Sequence, residues 1–195
     1  MAHDLASLLQ SLDALPEGAF EADLVSEWMG ELELDHAALA PYASWGDERY
    51  TRNLVRRSPR FDLILLCWPP GARTPIHNHN GQRGWVRVLR GTLRETSYAT
   101  TPGAPHAIGE TGDACRSLQG PLRETDRADF PASEAVVTVD TERAIHALAN
   151  PTTERAVSLH VYSLPHDSCL TYDLETGKAT RVELRFDTEP VPARR

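Results

Sequence analysis

Closely spaced histidines are the first feature of this sequence that could do chemistry. His77 and His79 are one residue apart, and in an extended segment residues two apart point to the same side of the chain. His146 lies in a later apolar run, with Ile145 before it and Ala147 after it. Three neutral imidazoles that converge on one point could hold a divalent metal and leave other coordination positions open. An isolated His-X-His pair also arises by chance on a surface, so its surroundings decide the interpretation.

A second group of polar residues alternates along one apolar run. Within Ala156–Ser163, the residues Ser158, His160 and Tyr162 share one face, and aliphatic residues occupy the other. A polar face usually lies against solvent. A hydroxyl, an imidazole and a phenol in a row can instead form a relay in which the serine orients the imidazole and the imidazole orients the phenol. A metal site in the same barrel favours the relay.

The composition restricts the class of protein that carries these residues. The chain has 195 residues, and its 41% hydrophobic and 25% charged content is ordinary for a globular protein with a core. The formal net charge of −8 disfavours nucleic-acid binding, and no apolar run is long enough to cross a membrane. Three widely spaced cysteines and the lack of a signal-peptide pattern predict a cytoplasmic protein.

The hydrophobic pattern predicts the elements that position these residues. Residues 1–41 predict a helical lead-in: a leucine-rich segment capped by Asp4, a second segment over Phe20–Leu32, and a short third one over Asp35–Ala40. From residue 42, β-forming runs alternate with Gly, Pro and Asn, which predicts an antiparallel sandwich or small barrel. The predicted strands are Thr51–Arg57, Phe61–Trp68, Gly84–Leu89, Thr92–Tyr98, Ala135–Val139, Ile145–Leu148, Ala156–Tyr162, Leu170–Asp173 and Thr180–Arg185.

The domain organisation follows from the same pattern. Residues 1–195 form one predicted domain, with a barrel core over residues 42–187 and a short tail over residues 188–195. Thr101–Asp126 is rich in Gly and Pro and is predicted to be a loop. The chain has neither an alternation of strands and helices nor a Gly-X-Gly-X-X-Gly motif, which disfavours a dinucleotide-binding fold.

The spacing of glycines and histidines resembles the two motifs of the cupin superfamily. The run Gly71–Gly91 matches the first motif with His77 and His79 in its histidine positions, and His146 with Asn150 matches the end of the second. The resemblance implies a mainly β cupin fold, a small β-barrel or jelly roll preceded by helices, with the three histidines around a metal.

Gly84 stands where the first cupin motif usually carries a glutamate ligand. Three neutral ligands would leave the full divalent charge on the metal, which favours an anionic substrate group such as a thiolate. Metal-dependent isomerases usually keep the glutamate and are therefore disfavoured.

Four stretches resemble the cysteine dioxygenase family of thiol dioxygenases, which are cupins. They are Arg49–Val55, Leu66–Trp68, Ile76–His79, and Val157–Ser163 with Asp167–Cys169 after it. Their order and spacing agree with the family from about residue 41 to residue 185. The resemblance implies Fe(II) bound by His77, His79 and His146, a small thiol and O2 as substrates, and a monomeric protein.

The resemblance also implies roles for five further residues. Arg52 would pair with the substrate carboxylate, a task suited to its planar fork, and Tyr50 would belong to the substrate pocket. Ser158, His160 and Tyr162 would form the outer-sphere triad, with the Tyr162 hydroxyl close to the substrate and O2. Related enzymes that act on 3-mercaptopropionate tend to carry glutamine at the position of Arg52, so an amino-acid thiol is favoured.

Two positions depart from the family pattern. Mammalian members have a cysteine in place of Gly84 that cross-links to the triad tyrosine, so Tyr162 is expected to stay a free phenol. The family commonly has a cis Ser-Pro bond after the triad, whereas Ser163 is followed here by Leu164. A trans bond is expected because a cis bond before a residue other than proline costs about 2.5–4 kcal/mol.

The sequence thus predicts a cysteine dioxygenase-type oxidoreductase that converts L-cysteine to cysteine sulfinic acid. A dioxygenase for 3-mercaptopropionate or another mercaptocarboxylate is one alternative. A metal-binding cupin that binds or senses a small ligand is another, although such a binder has no need of both Arg52 and the triad. The other histidines are expected on the surface or in loops, with His166 near the pocket mouth: His3, His36, His106 and His166.

Overall fold

The helices lie at the start of the chain, as predicted. The computed structural model describes residues 4–16, 19–20, 22–33, 36–79, 81–100, 121–132, 137–139 and 145–190. Helices α1 (Leu5–Ala14), α2 (Ala22–Gly30) and α3 (His36–Leu39) are followed by a 3-10 turn over Ala40–Tyr42. Asp4 caps α1, because its carboxylate accepts a hydrogen bond from the Ser7 backbone N–H at 2.7 Å. No helix within the described ranges is both long and apolar enough to span a membrane.

Strands make up most of the rest of the described chain. They are β1 (Thr51–Arg57), β2 (Phe61–Trp68), β3 (Gly84–Arg90), β4 (Thr92–Thr100), β5 (Leu122–Pro131), β6 (Val137–Val139), β7 (Ile145–Ala149), β8 (Ala156–Ser163), β9 (Ser168–Tyr172) and β10 (Ala179–Glu183). Hydrogen bonds join them into a five-stranded sheet in the order β1-β2-β8-β3-β6, a three-stranded sheet β5-β4-β7, and the pair β9-β10.

The two larger sheets enclose one apolar interior. Side chains from both sheets share a buried cluster that includes Leu54, Ile64, Leu66, Val88, Leu93 and Leu148. The opposite face of the five-stranded sheet packs against the helices, through residues such as Leu8, Leu12, Val25, Met29, Phe61, Leu63, Leu65, Leu159 and Val161. Strand β2 is therefore buried on both faces, which explains the continuous apolar run Leu63–Trp68.

Strand β8 has the same two-sided environment as its neighbour β2. Its odd positions, Leu159 and Val161, belong to the cluster that meets the helices. Its even positions, Ser158, His160 and Tyr162, are at most 5% exposed and point toward the barrel interior. The polar face therefore does not lie against solvent, and a hydrogen-bonded arrangement inside the barrel is required.

Most predicted strands are present, and one strand was missed. Strands β1 and β2 have the predicted bounds, whereas β10 ends before the predicted Arg185. The predicted loop Thr101–Asp126 is wrong for residues 122–126, which begin β5, and residues 101–120 lie outside the described ranges. Strand β5 is mostly exposed and charged, so it lacks the apolar alternation that marks a half-buried strand.

The backbone after β8 has an unusual conformation. No peptide bond in the described ranges is cis, so the bond between Ser163 and Leu164 is trans, as expected. Leu164 has a φ of 74° and is the one described residue other than glycine with a positive φ. Its N–H donates to the Arg60 carbonyl oxygen at 2.7 Å, which helps to hold a conformation that costs a leucine about 1–2 kcal/mol.

Candidate metal centre

Backbone pairing brings the three predicted histidines together. The His77 N–H donates to the His146 carbonyl at 2.8 Å, and the His146 N–H donates to the His77 carbonyl at 2.9 Å. His79 follows two residues later, on the same side of the extended segment. One ligand atom from each of the three residues lies within 4.8 Å of the others, and Nε2 of His79 is 3.1 Å from Nε2 of His146.

Hydrogen bonds behind two of the rings select the nitrogen that faces the centre. Nδ1 of His77 donates to the Pro75 carbonyl at 3.0 Å, and Nδ1 of His146 donates to Oε1 of Glu95 at 2.5 Å. Each bond places the proton on Nδ1 and leaves the Nε2 lone pair for a metal. Glu95 is a functional residue that sequence reasoning missed, because its contact depends on how β4 pairs with β7.

Burial keeps two of these histidines neutral. Desolvation, followed by the nearby His146, lowers the pKa of His77 to about 3 and the pKa of His79 well below its usual value. Neutral imidazole is the form that binds a metal. The donor set therefore fits a divalent transition metal: the ring nitrogens converge, and this group has no carboxylate. It is also the one such group within the described ranges.

A cavity of about 100 Å³ opens beside the three histidines. Seven of the eight site residues expected from the sequence line its wall, and the exception is Ser158. The seven are Tyr50, Arg52, His77, His79, His146, His160 and Tyr162. His166 and Cys169 also line it. The volume corresponds to a few water molecules, so the cavity is suited to a small ligand.

Arg52 presents free donors to this cavity. Its side chain is 9% exposed, and Nε and Nη2 have no hydrogen-bond partner among the described residues. Its backbone N–H donates to Oδ2 of Asp187 at 2.8 Å, and its guanidinium lies 5.7 Å from the centre of the Phe186 ring. Buried donors without partners are costly, and a carboxylate would satisfy both at once.

Tyr50, which lines the cavity together with Arg52, packs against Trp68 behind it. Their rings stack with centroids 4.8 Å apart and an interplanar angle of 24°. Trp68 is fully buried.

The residues on the inner face of β8 form a continuous chain of hydrogen bonds. The indole Nε1–H of Trp68 donates to Ser158 Oγ at 2.9 Å. An indole can only donate, so the serine keeps its own proton for Nε2 of His160 at 2.7 Å. Nδ1 of His160 lies 3.3 Å from the Tyr162 hydroxyl. If Nδ1 donates, the phenol proton is left for a group in the cavity.

Burial also determines the protonation states of His160 and Tyr162 in this series of hydrogen bonds. Desolvation lowers the pKa of His160 to about 3 and raises the pKa of Tyr162 to about 12. Both side chains are therefore neutral near physiological pH, and Tyr162 is a hydrogen-bond donor there.

Gly84 lies between the metal centre and the triad. A Cβ atom at this position would be 3.0 Å from Cε1 of His79 and 3.3 Å from Cε1 of Tyr162. The absence of a side chain lets both rings approach the backbone of β3.

Two of the remaining histidines can be placed. His166 lies in the connection between β8 and β9 and lines the cavity, as expected, although its exposed fraction is only 2%. His36 begins α3. His3 and His106 lie outside the described ranges.

Comparison with known proteins shows the family to which this chain is similar. A family model described as cysteine dioxygenase type I matches residues 2–175. Human (Homo sapiens) cysteine dioxygenase type 1 is 31% identical over 188 residues, covering 95% of this chain and 86% of that protein. Zebrafish (Danio rerio) cysteine dioxygenase type 1 is 31% identical over 147 residues, covering 74% of this chain and 66% of that protein. Plant cysteine oxidase 2 of Arabidopsis thaliana is 33% identical over 52 residues, covering 27% of this chain and 19% of that protein.

Two solved structures are similar to this chain at low sequence identity. The cupin domain of Schizosaccharomyces pombe Cnp3 is 13% identical with a TM-score of 0.42, covering 60% of this chain and 61% of that chain. A cupin superfamily protein of Desulfitobacterium hafniense is 13% identical with a TM-score of 0.44, covering 63% of this chain and 84% of that chain. The family model, by contrast, spans most of the sequence. The chain, which is mainly β with N-terminal helices, therefore belongs to the cysteine dioxygenase type I family.

Proposed function

We propose that this protein is a thiol dioxygenase that converts L-cysteine to cysteine sulfinic acid at an Fe(II) centre held by His77, His79 and His146. In this reaction the thiolate sulfur gains both atoms of one O2 molecule, and no further oxidant is needed. The observation that carries the proposal is the pairing, in one small cavity, of an all-histidine metal site with the unpartnered guanidinium of Arg52.

The three histidines would determine the character of the metal. Fe(II) bound there would supply divalent charge that attracts the thiolate and electrons that activate O2. The neutral rings do not offset that charge, and Glu95 holds the His146 ring in the orientation that a ligand requires.

Arg52 would select and orient the substrate. Its Nε–H and Nη2–H are unpaired and suited to a carboxylate, which would anchor one end of the substrate beside Tyr50. An amino-acid thiol anchored in this way would direct its sulfur toward the histidines, which line the same cavity of about 100 Å³. The small volume favours a free amino acid over a peptide.

Tyr162 would act on the oxygen end of the reaction. Its hydroxyl is backed by His160 and Ser158, and its proton is available to the cavity. Because its pKa is raised to about 12, the phenol stays protonated and can donate a hydrogen bond to oxygen that develops negative charge.

3-Mercaptopropionate is a second candidate substrate, and one observation favours it. None of the residues that line the cavity in the described ranges is acidic, so no carboxylate is placed to pair with the ammonium group of cysteine. Arg52 would bind the carboxylate of either thiol. A cupin that binds a small ligand without catalysis is less well supported, because the buried relay to Tyr162 has no purpose in it.

A substrate panel tests the proposal. Oxygen uptake by the iron-loaded protein is measured with L-cysteine, with 3-mercaptopropionate and with cysteamine, which lacks the carboxylate. We expect uptake with L-cysteine, sulfinate as the product, and weak uptake with cysteamine. No uptake with any thiol would overturn the proposal, and faster turnover of 3-mercaptopropionate would shift it to the second substrate.

We further propose that the protein is a cytoplasmic monomer. Cys67 and Cys169 are buried free thiols, which is consistent with a reducing compartment. Within the described ranges the exposed large hydrophobic side chains are only Leu164, Leu174 and Val182. A light-scattering mass measurement tests the oligomeric state, and a dimeric mass would contradict it.

A further inference from the structure

His166 is a buried histidine to which the proposed reaction assigns no role. It lies in the connection between β8 and β9, its exposed fraction is 2%, and it lines the same cavity as the metal centre. A polar ring in that position needs contacts that hold it, and those contacts indicate what it does.

One hydrogen bond holds this ring directly, and two more hold the backbone that carries it. The His166 backbone N–H donates to Oδ2 of Asp62 at 2.9 Å. Nε2 of Gln82 donates to the Pro165 carbonyl at 2.8 Å, which turns Oε1 of the same amide toward the imidazole. Nδ1 of His166 lies 2.5 Å from that Oε1 and therefore donates to it. The imidazole is held both by its own backbone and by a side chain from the loop before β3.

The fixed imidazole lies flat against Tyr162. The ring centroids are 4.7 Å apart, and the interplanar angle is 12°. The Tyr162 ring also meets His79 at 5.4 Å with an angle of 88°, and His79 meets His166 at 5.6 Å with an angle of 78°. The three rings thus pack as one unit, in geometries that aromatic rings favour.

The Tyr162 hydroxyl is held less firmly by its hydrogen bond than the Tyr162 ring is by its packing contacts. The one hydrogen bond that the hydroxyl makes within the described ranges, to Nδ1 of His160, has a length of 3.3 Å, which is long for a strong bond. Gly84, on the neighbouring strand, offers no side chain that could attach to the ring. Ring packing therefore decides where the hydroxyl points.

We propose that His166 is a positioning residue that clamps the Tyr162 ring against His79 and so sets the direction of the phenolic O–H. The inference rests on the proposed function, because the role of the O–H belongs to that reaction. The flat ring is what the clamp requires, and the imidazole nitrogens serve only to hold it in place.

A double-mutant cycle on the iron-loaded protein tests the clamp. His166→Leu removes the flat ring, whereas His166→Phe keeps a flat ring and loses the bond to Gln82. We expect His166→Leu to lower kcat for L-cysteine at least about tenfold with KM changed less than about twofold, because Tyr162 then donates poorly. His166→Phe should retain most of kcat. In a Tyr162→Phe background, His166→Leu should cause no further loss.

A spectroscopic measurement does not depend on activity. With zinc in place of iron and labelled tyrosine, the Tyr162 ring signal in an NMR spectrum is assigned by its loss in Tyr162→Phe. The stacked imidazole should shift this signal, so His166→Leu should move it and His166→Phe should move it less.

The outcomes separate the inference from the proposed function. Equal losses of kcat from His166→Leu with and without the Tyr162 hydroxyl, or an unmoved Tyr162 signal, would overturn the clamp. A wild-type protein that consumes no O2 with any thiol would overturn the proposed function, and the NMR signal would still decide the clamp.

Discussion

Arg52 is the residue whose surroundings most restrict what the cavity can bind. Two of its side-chain nitrogens are buried without a partner, while its backbone is fixed by Asp187. A guanidinium cannot lose its proton near neutral pH, so the unmet donors favour an anion in the cavity.

Replacing Arg52 should therefore separate two kinds of thiol. Arg52→Gln is expected to raise KM for L-cysteine by roughly 10- to 100-fold, the loss expected for charge-assisted hydrogen bonds. Cysteamine, which has no carboxylate, should show little change in KM. Steady-state oxygen uptake measures both, and an equal rise for the two thiols would contradict carboxylate binding by Arg52.

Glu95 does not belong to the metal-binding group itself but accepts a hydrogen bond from one of its members, His146. Glu95→Gln keeps an acceptor for Nδ1 of His146 but removes its charge, and metal affinity is expected to fall roughly 10- to 100-fold. A competition titration with an iron chelator measures the affinity. Glu175→Gln, at an exposed site, is the matched control, and similar affinities in the two variants would contradict the role of Glu95.

At the scale of elements, β8 shows how one strand serves two environments. Leu159 and Val161 bury their side chains toward the helices, while Ser158, His160 and Tyr162 point into the barrel. The alternation was visible in the sequence. The sequence did not show that the polar face is buried inside the barrel, because this depends on the helices that cover the apolar face of the strand.

Removing the middle of the relay should cost stability as well as activity. Ser158→Ala leaves the Trp68 indole N–H and Nε2 of His160 without their partner, which is expected to destabilise the fold by about 1–3 kcal/mol. Urea unfolding measures this cost, and Ser7→Ala, on the exposed start of α1, is the control. A loss no larger than that of the control would contradict a buried relay.

The strands and site residues differ in how well the sequence predicts them. β2 was predicted with its observed bounds because burial on both faces gives it the apolar run Leu63–Trp68. β1 also has its predicted bounds, although only Leu54 and Val55 in it are apolar. β5 was missed since its side chains face solvent. Glu95 escaped notice because its contact with His146 depends on the register of two distant strands. His166 was expected near the pocket mouth, but its contact with Tyr162 was not predicted because it lies in a connection without a periodic pattern.

At the scale of the whole molecule, the helices complete the site without touching it. They cover the outer face of the five-stranded sheet, so its polar inner face lies away from bulk solvent. This removal from bulk solvent is what keeps the histidines there neutral. Desolvation is the largest cause of the lowered pKa of His77, His160 and His166, each to about 3.

These lowered pKa values make stability depend on pH. Above the usual histidine pKa of 6.5 the rings are neutral in both states, and their full contribution to stability is present. As pH falls from 6.5 toward about 3, the unfolded chain binds protons that the folded chain does not, so the free energy of unfolding decreases.

Urea unfolding of the metal-free protein between about pH 7 and about pH 4 measures this loss. His160→Gln should show a shallower decrease than the wild type, because one of the neutral histidines is gone. A free energy of unfolding that stays constant over this range would contradict the buried neutral state.

In the proposed reaction, a three-histidine metal centre adds both atoms of O2 to a thiol. Its most direct test is mass spectrometry of the product formed from L-cysteine under ¹⁸O2 by the iron-loaded protein, with His77→Ala treated in the same way. The predicted result is cysteine sulfinic acid with both sulfinate oxygens labelled, and no product from His77→Ala. Sulfinate whose oxygens come from water, or labelled product formed equally well by His77→Ala, would contradict this proposal.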